Sequence, residues 1–393
     1  MRGLPPRRRE PSPAPPVHGD QFNLLRLLFA GAVLFSHCFE LIDRGRIHEP
    51  LDRLFHTFSA GDLAVDGFFT LSGYLILQSW TSDPHPGRYL ARRALRVYPA
   101  FLTVTLVCGL VLGPIFGGGA AHYFGQFQPL DFTIGALVLR EPVVPPVFVG
   151  NPYTDANGSL WTIQYEFMCY VIVLIAGLLA RNRRAFWWVL WLAALALNSL
   201  AGDALERIRF PGSRILLGDE PGAFVRFLGF FGAGVLCYLH RDRLRYRAAP
   251  AALCAVAVIL SLFHFDAAKL VLPTAGTYLQ FWFAFRPAAD SALQRFVRRN
   301  DLSYGLYLFA WPVQQVLIRI LQLQSAWALL PLAAAAAMGL GFLSWRWIER
   351  PFLSLKPSTR PLLTSVGSSQ DRIHHLDSAS GDRNRRSPPL RPL

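Results

Sequence analysis

The apolar residues of this chain come in blocks of roughly 16 to 22, each bounded by an arginine cluster or a Pro/Gly-rich loop. A soluble amphipathic helix shows a single apolar stripe. A block apolar on every face and about 20 residues long is built to cross a bilayer. A transmembrane β-barrel would show short alternating segments instead. The composition agrees: 52% of residues are hydrophobic and 16% charged, against about 25% charged in an ordinary soluble domain. The expected fold class is all-α, a polytopic membrane protein embedded in the lipid bilayer.

Ten transmembrane helices are expected, at residues 22–41, 63–80, 97–116, 160–180, 186–200, 224–240, 249–264, 270–286, 302–323 and 326–347. The net charge of +14 is carried by short loops between apolar runs. A nucleic-acid binder would cluster it on one soluble domain, so no nucleic-acid partner is expected. Arg7–Arg9, Arg88, Arg92, Arg93, Arg96, Arg181, Arg183, Arg184, Arg241, Arg243, Arg245, Arg247, Arg295, Arg298 and Arg299 all fall in loops of one side. The positive-inside rule makes that side cytoplasmic, with both termini on it. Residues 1–21 read as a basic, Pro-rich disordered arm, 22–356 as the membrane domain and 357–393 as a Ser/Arg/Pro-rich disordered tail. No cleavable signal or internal repeat is evident, and 132–139 is apolar but too short to span. The five cysteines lie in or beside apolar runs without metal-ligand spacing, so no metal is expected.

Charges inside apolar runs are costly, and therefore candidates for function. The first run, "FNLLRLLFAGAVLFSHCFEL", holds Arg26 and His37. Eleven residues make about three helical turns, which puts both on one face about 16 Å apart. Arg26 either snorkels to the interface or lines a cavity, and His37 either packs or acts as a general base. Arg93 and Arg96, three apart at the membrane edge, share a helical face suited to gripping phosphate oxygens. Glu166 lies inside the fourth run, where a carboxylate needs an arginine, a histidine or a proton as partner. Asp66 reads as a helix cap or a ligand residue, Ser72 and Gly73 as close-packing positions, and Ser159 as a cap. Pro312 kinks the ninth run, which also holds Gln314 and Gln315. Glu349, flanked by Arg346 and Arg350, reads as a local ion-pair knot.

Six motifs in order resemble the membrane-bound acyltransferase family 3, whose members acylate extracytoplasmic carbohydrates. They are Arg26 with His37, "DGFFTLSGYLI", "RRALRVYPAF" with Arg93 and Arg96, "NGSLWTIQYEF" with Glu166, "LSYGLYL" and "SWRWIERPFL". Many members carry a histidine after "YL" in the ninth-run motif, where this chain has Ala310. The SGNH hydrolase-like extension of some members is not expected here. The resemblance implies an acyltransferase in a bacterial plasma or inner membrane. Its co-substrate would be cytoplasmic acyl-CoA, acetyl-CoA first, with no permanently bound cofactor. The acceptor would be a hydroxyl of an extracytoplasmic or lipid-linked carbohydrate. His37 would be the base, Arg26, Arg93 and Arg96 would face the CoA phosphates, and Glu166 would share the cavity. The competing reading is a non-catalytic transporter or flippase for a glycan or amphiphilic anion.

Overall fold

The computed structural model describes residues 21–141, 143–180, 183–205, 207, 220–287 and 291–357. The described residues belong to the unit Met1–Pro357. The expected arm and tail fall outside them, apart from Gln21 and Pro357. Gln21 is buried and accepts a hydrogen bond from Gln294 Nε2 at 2.6 Å.

The described residues are helical, with no β-strand among them. The segments that frame the site are α1 (Phe22–Asp43), α2 (Ala60–Ser82), α3 (Pro86–Leu106), α4 (Trp161–Leu179), α5 (Arg184–Leu200), α6 (Pro221–Leu239) and α7 (Ala248–Ser261). They continue with α8 (Phe265–Val271), α9 (Ser303–Leu321) and α10 (Ala326–Ser344). Three of them run on through a π turn: α3 through Val107–Leu112, α8 through Leu272–Gly276 and α10 through Trp345–Glu349. Each expected apolar segment overlaps a helix, the eighth mainly through the π turn Leu272–Gly276 and the helix Thr277–Ala284 that follows it. Six are long and apolar enough to cross a membrane: Phe22–Asp43, Ala60–Ser82, Pro86–Phe116, Trp161–Leu179, Pro221–Leu239 and Ala326–Ser354. Arg184–Leu200 and Ala248–Ser261 are apolar but shorter. Of the short apolar stretch expected at 132–139, residues 132–137 lie in a nine-residue helix, Pro129–Leu137.

Small residues set the closest approach. α2 and α6 share the most extensive interface, and α1 lies against both α2 and α9. A Cβ at Gly73 would collide with the Phe231 carbonyl, and one at Gly234 with the Thr70 carbonyl. The two backbones thus touch at a pair of glycines, as close helix packing in apolar surroundings requires. Ser72 beside Gly73 does something else, donating to Glu166.

The kink at Pro312 leaves the Leu308 carbonyl, four residues earlier, without its helical donor. Asn157 Nδ2 supplies one at 2.9 Å. Tyr307 OH then donates to the Ser159 carbonyl (2.8 Å) and pairs with Thr162 Oγ1 (2.6 Å). The loop motif around Asn157 is therefore a clip on the bent helix. Ser159 bonds Asn157 rather than capping α4, which starts at Trp161.

Two further expectations are corrected by the contacts. Asp66 is not a helix cap: α2 begins six residues earlier, at Ala60, where Ser59 and Asp62 cap each other's backbone reciprocally. Glu349 is not paired with its sequence neighbours. It is buried, and it binds Arg96 on α3 at 3.3 Å and Ser344 Oγ at 3.1 Å. The π turn through Trp345–Glu349 rotates the carboxylate off the flank that Arg346 and Arg350 occupy and into the bundle.

Candidate active site

Helix α1 carries the spine of the site. On one flank Phe29 and Ser36 meet α2, where a Cβ at Gly67 or Gly61 would strike them. On the other flank Gln314 Nε2 of α9 donates to the Leu34 carbonyl (2.8 Å) and to Cys38 Sγ (3.0 Å). At 100° per residue, Arg26 and His37 project between these flanks, toward the gap between α2 and α9.

A cavity of about 470 Å³ fills that gap. Arg26, Arg93, Arg96, Asp301 and Lys356 line it, together with Ser79 near the end of α2. Val65 of α2, Thr162 of α4 and Tyr307 of α9 line it farther along. Val65 and Ser79 lie fourteen residues apart on one helix, about 21 Å. The cavity thus reaches from a cationic mouth past Ser72 and Glu166 deep into the bundle, where Phe68, Phe69 and Ile163 make its wall largely apolar.

The cations at the mouth are not equivalent. Arg96 binds Asp301 (2.7 Å) and Glu349 (3.3 Å), and Arg26 shares Asp301 at 3.7 Å. Burial alone would raise the Asp301 carboxyl, but Arg96 and Arg26, with hydrogen bonds from Ser303, hold it down to about 2. Arg92 turns away from the cavity and is locked on Asp83 at 2.6 Å. Among the described residues Arg93 reaches only Ser79 Oγ, at 3.3 Å, and its Nε has no partner. Lys356 lines the same mouth, and burial together with the charges of Arg93 and Arg96 lowers its ammonium from 10.5 to about 8. Arg93 and Lys356 are therefore the cations with no carboxylate at ion-pair distance among the described residues.

Glu166 lies in the cavity wall, where its Oε1 accepts from Ser72 Oγ and Tyr170 OH, both at 2.7 Å. Its partners are hydroxyls, so of the expected residues Glu166 belongs to the cavity without an ion pair. His37 is not in the cavity lining. It stands one turn beyond it, beside Trp311, with ring centroids 4.9 Å apart and edge to face. Trp311 is the next turn of α9 after Tyr307, and Asp62 is close to the next turn of α2 before Val65. His37 is buried, and its Nδ1 has no partner among the described residues. A buried imidazole nitrogen without a partner is available to receive a proton.

The Acyltransferase domain family model matches residues 20–346. The chain belongs to acyltransferase family 3. The acyltransferase is 30% identical over 334 residues to the O-acetyl transferase of Shigella phage Sf6, covering 85% of this chain and 96% of that protein. It is 27% identical over 368 residues to Nodulation protein 10 of Rhizobium leguminosarum bv. viciae, covering 87% and 95%. A third relative, Acyltransferase MdmB of Streptomyces mycarofaciens, is 26% identical over 141 residues, 34% of each chain. No solved structure matches. Membership decides between the two readings of the buried charges, for an enzyme and against a transporter.

Sequence reading passes over three residues of the site. Asp301 sits in a short charged loop, "RRND", where an acid looks like any solvated one. Lys356 lies past the last apolar run, and only the return of the chain toward α3 brings it to the cavity. Arg226 stands inside "PGAFVRFLGFF", the same signal that singles out Arg26, and nothing nearby in sequence marks its partner Asp66.

Proposed function

We propose that the acyltransferase takes an acyl group, acetyl first among the candidates, from cytoplasmic acyl-CoA and transfers it to a hydroxyl of an extracytoplasmic or lipid-linked carbohydrate. The observation that carries the reading is the axis along α1: an anion-seeking mouth around Arg93 and Lys356, an apolar channel, and a partnerless imidazole nitrogen one turn past its far end. The name of the relative from Shigella phage Sf6, an O-acetyl transferase, favours O-acetyl transfer over other acyl chemistry.

In this reading the CoA phosphates rest on Arg93 and Lys356, since planar guanidinium and ammonium groups without a carboxylate favour phosphate. Arg26 and Arg96, each already on Asp301, add long-range attraction and hold the mouth in shape. The pantetheine arm lies along the apolar channel and brings the thioester toward His37. The acceptor oxygen attacks the thioester carbonyl carbon, His37 takes the hydroxyl proton, and the carbon–sulfur bond breaks. The proton then passes to the thiolate, leaving CoA thiol and an ester. Glu166, held by two hydroxyls, keeps the wall polar beside that path.

The test is acyl-CoA turnover in detergent. Wild type should release free CoA in an acceptor-dependent way. His37→Ala should lose about 10² to 10⁴-fold in rate, the usual contribution of a general base, while still binding CoA. Turnover by His37→Ala at the wild-type rate would remove the base assignment.

A further inference from the structure

We propose that Phe68 sets the size of the acyl group: its ring ends the donor cavity short of His37 and admits only a short acyl chain past it. The proposal rests on the reading above, in which acyl-CoA enters from the cationic mouth and His37 acts at the far end.

The cavity lining stops at a common depth on three helices. Arg26 is the lining residue of α1 nearest His37, and Tyr307 is the lining residue of α9 nearest Trp311. Helix α2 runs opposite to α1, since Gly67 abuts Phe29 and Gly61 abuts Ser36. Its lining residues nearest the His37 side are Val65 and Phe68. At that depth aromatic rings bridge the gap. Phe68 meets Phe29 of α1 at 5.5 Å between centroids and Tyr307 of α9 at 6.0 Å, both edge to face. Phe29 lies about one turn past Arg26, and His37 lies eight residues farther, about 12 Å along the helix. A thioester drawn in from the mouth therefore meets these rings before it meets the imidazole.

Of the rings at this end, Phe68 is the one free to turn. Phe29 is pressed on the α2 backbone, where a Cβ at Gly67 would collide with it. The Tyr307 hydroxyl donates to the Ser159 carbonyl (2.8 Å) and pairs with Thr162 Oγ1 (2.6 Å). Phe69 is stacked on Phe227, 4.2 Å apart and 4° from parallel. Phe68 has no hydrogen-bonding side-chain atom, is only half-buried, and borders the open cavity. Its side chain can change between staggered rotamers, and the two edge-to-face contacts favour the closed one. An acetyl group needs little of the space that the ring occupies. Every further methylene competes with the ring for that space, and overfilling a packed interior is costly.

The experiment uses the full chain in detergent. Calorimetry measures the affinities of CoA, acetyl-CoA and hexanoyl-CoA for wild type, Phe68→Ala and Phe68→Leu. Wild type should favour acetyl-CoA over hexanoyl-CoA. In Phe68→Ala the ratio of the two affinities should shift toward hexanoyl-CoA by at least about tenfold, the worth of one methylene in an apolar pocket. Phe68→Leu should shift it part of the way, and CoA itself should bind equally to all three. Phe68→Leu also keeps the test decisive should Phe68→Ala fail to fold. A ring that only packs the bundle predicts a lower melting transition with the ratio unmoved. An unchanged ratio in the variants that fold overturns the proposal and leaves the donor site standing. Wild type that binds hexanoyl-CoA as well as acetyl-CoA, or better, does the same. Wild type that binds no CoA overturns the function proposed above, and the size selection with it.

Discussion

The two ends of the α1 axis are both rich in buried charge, and they are wired in opposite ways. At the Arg93 end, Arg26, Arg93, Arg96 and Lys356 face only Asp301 and Glu349. At the Asp62 end, Arg46 and Arg226 face Glu40, Asp62 and Asp66. The first end keeps surplus positive charge beside an open cavity; the second sets two cations against three carboxylates and keeps buried polar atoms without a partner among the described residues. An anionic ligand is drawn to uncompensated positive charge in a poorly solvated mouth. Burial alone does not distinguish these cases; the pairing pattern does.

The largest effect should come from breaking the structural half of the Arg93 end. Asp301→Ala strips Arg96 of its nearer carboxylate and Arg26 of its partner. Removing one member of a buried pair costs about 3–5 kcal/mol. Thermal denaturation in detergent should show a drop of many degrees. A transition within a degree of wild type would mean that Asp301 is expendable and that Arg26 and Arg96 are as free as Arg93.

Glu166→Gln should come next. Glutamine keeps the shape and can still accept from Ser72 and Tyr170. The fold should hold while transfer falls by at least about tenfold, through a lower kcat with little change in CoA affinity. Equal turnover by this variant would reduce the carboxylate to a wall residue and assign the middle of the cavity to packing.

The contrast between Arg93 and Arg96 sharpens the comparison within one helix. Arg93→Gln should weaken CoA binding about tenfold, one charge-assisted hydrogen bond, with the melting transition preserved. Arg96→Gln should do the reverse, costing stability first because it leaves Asp301 and Glu349 short of a cation. Equal effects of both variants on affinity would return them to the single cationic face that sequence spacing suggests.

That spacing shows what a sequence can disclose here. Blocks of apolar residues mark the helices because a bilayer imposes length and composition locally, and the face shared by Arg26 and His37 follows from helical periodicity alone. Pairing across the bundle obeys no local rule. Glu349 looks paired to Arg346 and Arg350, yet it binds Arg96, 253 residues away. Asp66 looks like a cap because it stands near the start of an apolar run, but the run begins later than the helix, which Ser59 and Asp62 have already closed. Arg93 and Arg96 look alike because the carboxylate that separates their roles, Asp301, arrives from another part of the chain. Arg26, Arg93, Arg96 and Glu166 stand out as candidates while Asp301 and Lys356 do not, and the division into paired and unpaired cations is hidden because it depends on which distant acid reaches which arginine.

The smallest effect is the most specific to the Arg93 end, and it concerns pH. Lys356 faces Arg93, Arg96, Arg26 and Asp301, and its ammonium is lowered from 10.5 to about 8 by burial and by the arginines. Asp301, held at about 2, stays ionised. The second proton of a phosphate monoester leaves near pH 6, so CoA is fully charged above about pH 7. Between pH 7 and 9 Lys356 loses its charge. It is charged below about 8 and neutral above it, so CoA affinity should fall by a few-fold across that window, lost as pH rises. Stability of the unliganded protein should move the other way. The unfolded chain keeps the lysine proton up to its ordinary value while the folded chain has released it, so the unfolded state binds more protons between about 8 and 10.5 and stability rises with pH there. Lys356→Arg should keep full affinity up to pH 9, and Lys356→Gln should bind more weakly but with a flat profile. A wild-type profile that is also flat, or that slopes equally in Lys356→Gln, would take Lys356 out of the phosphate site and leave Arg93 as its free cation.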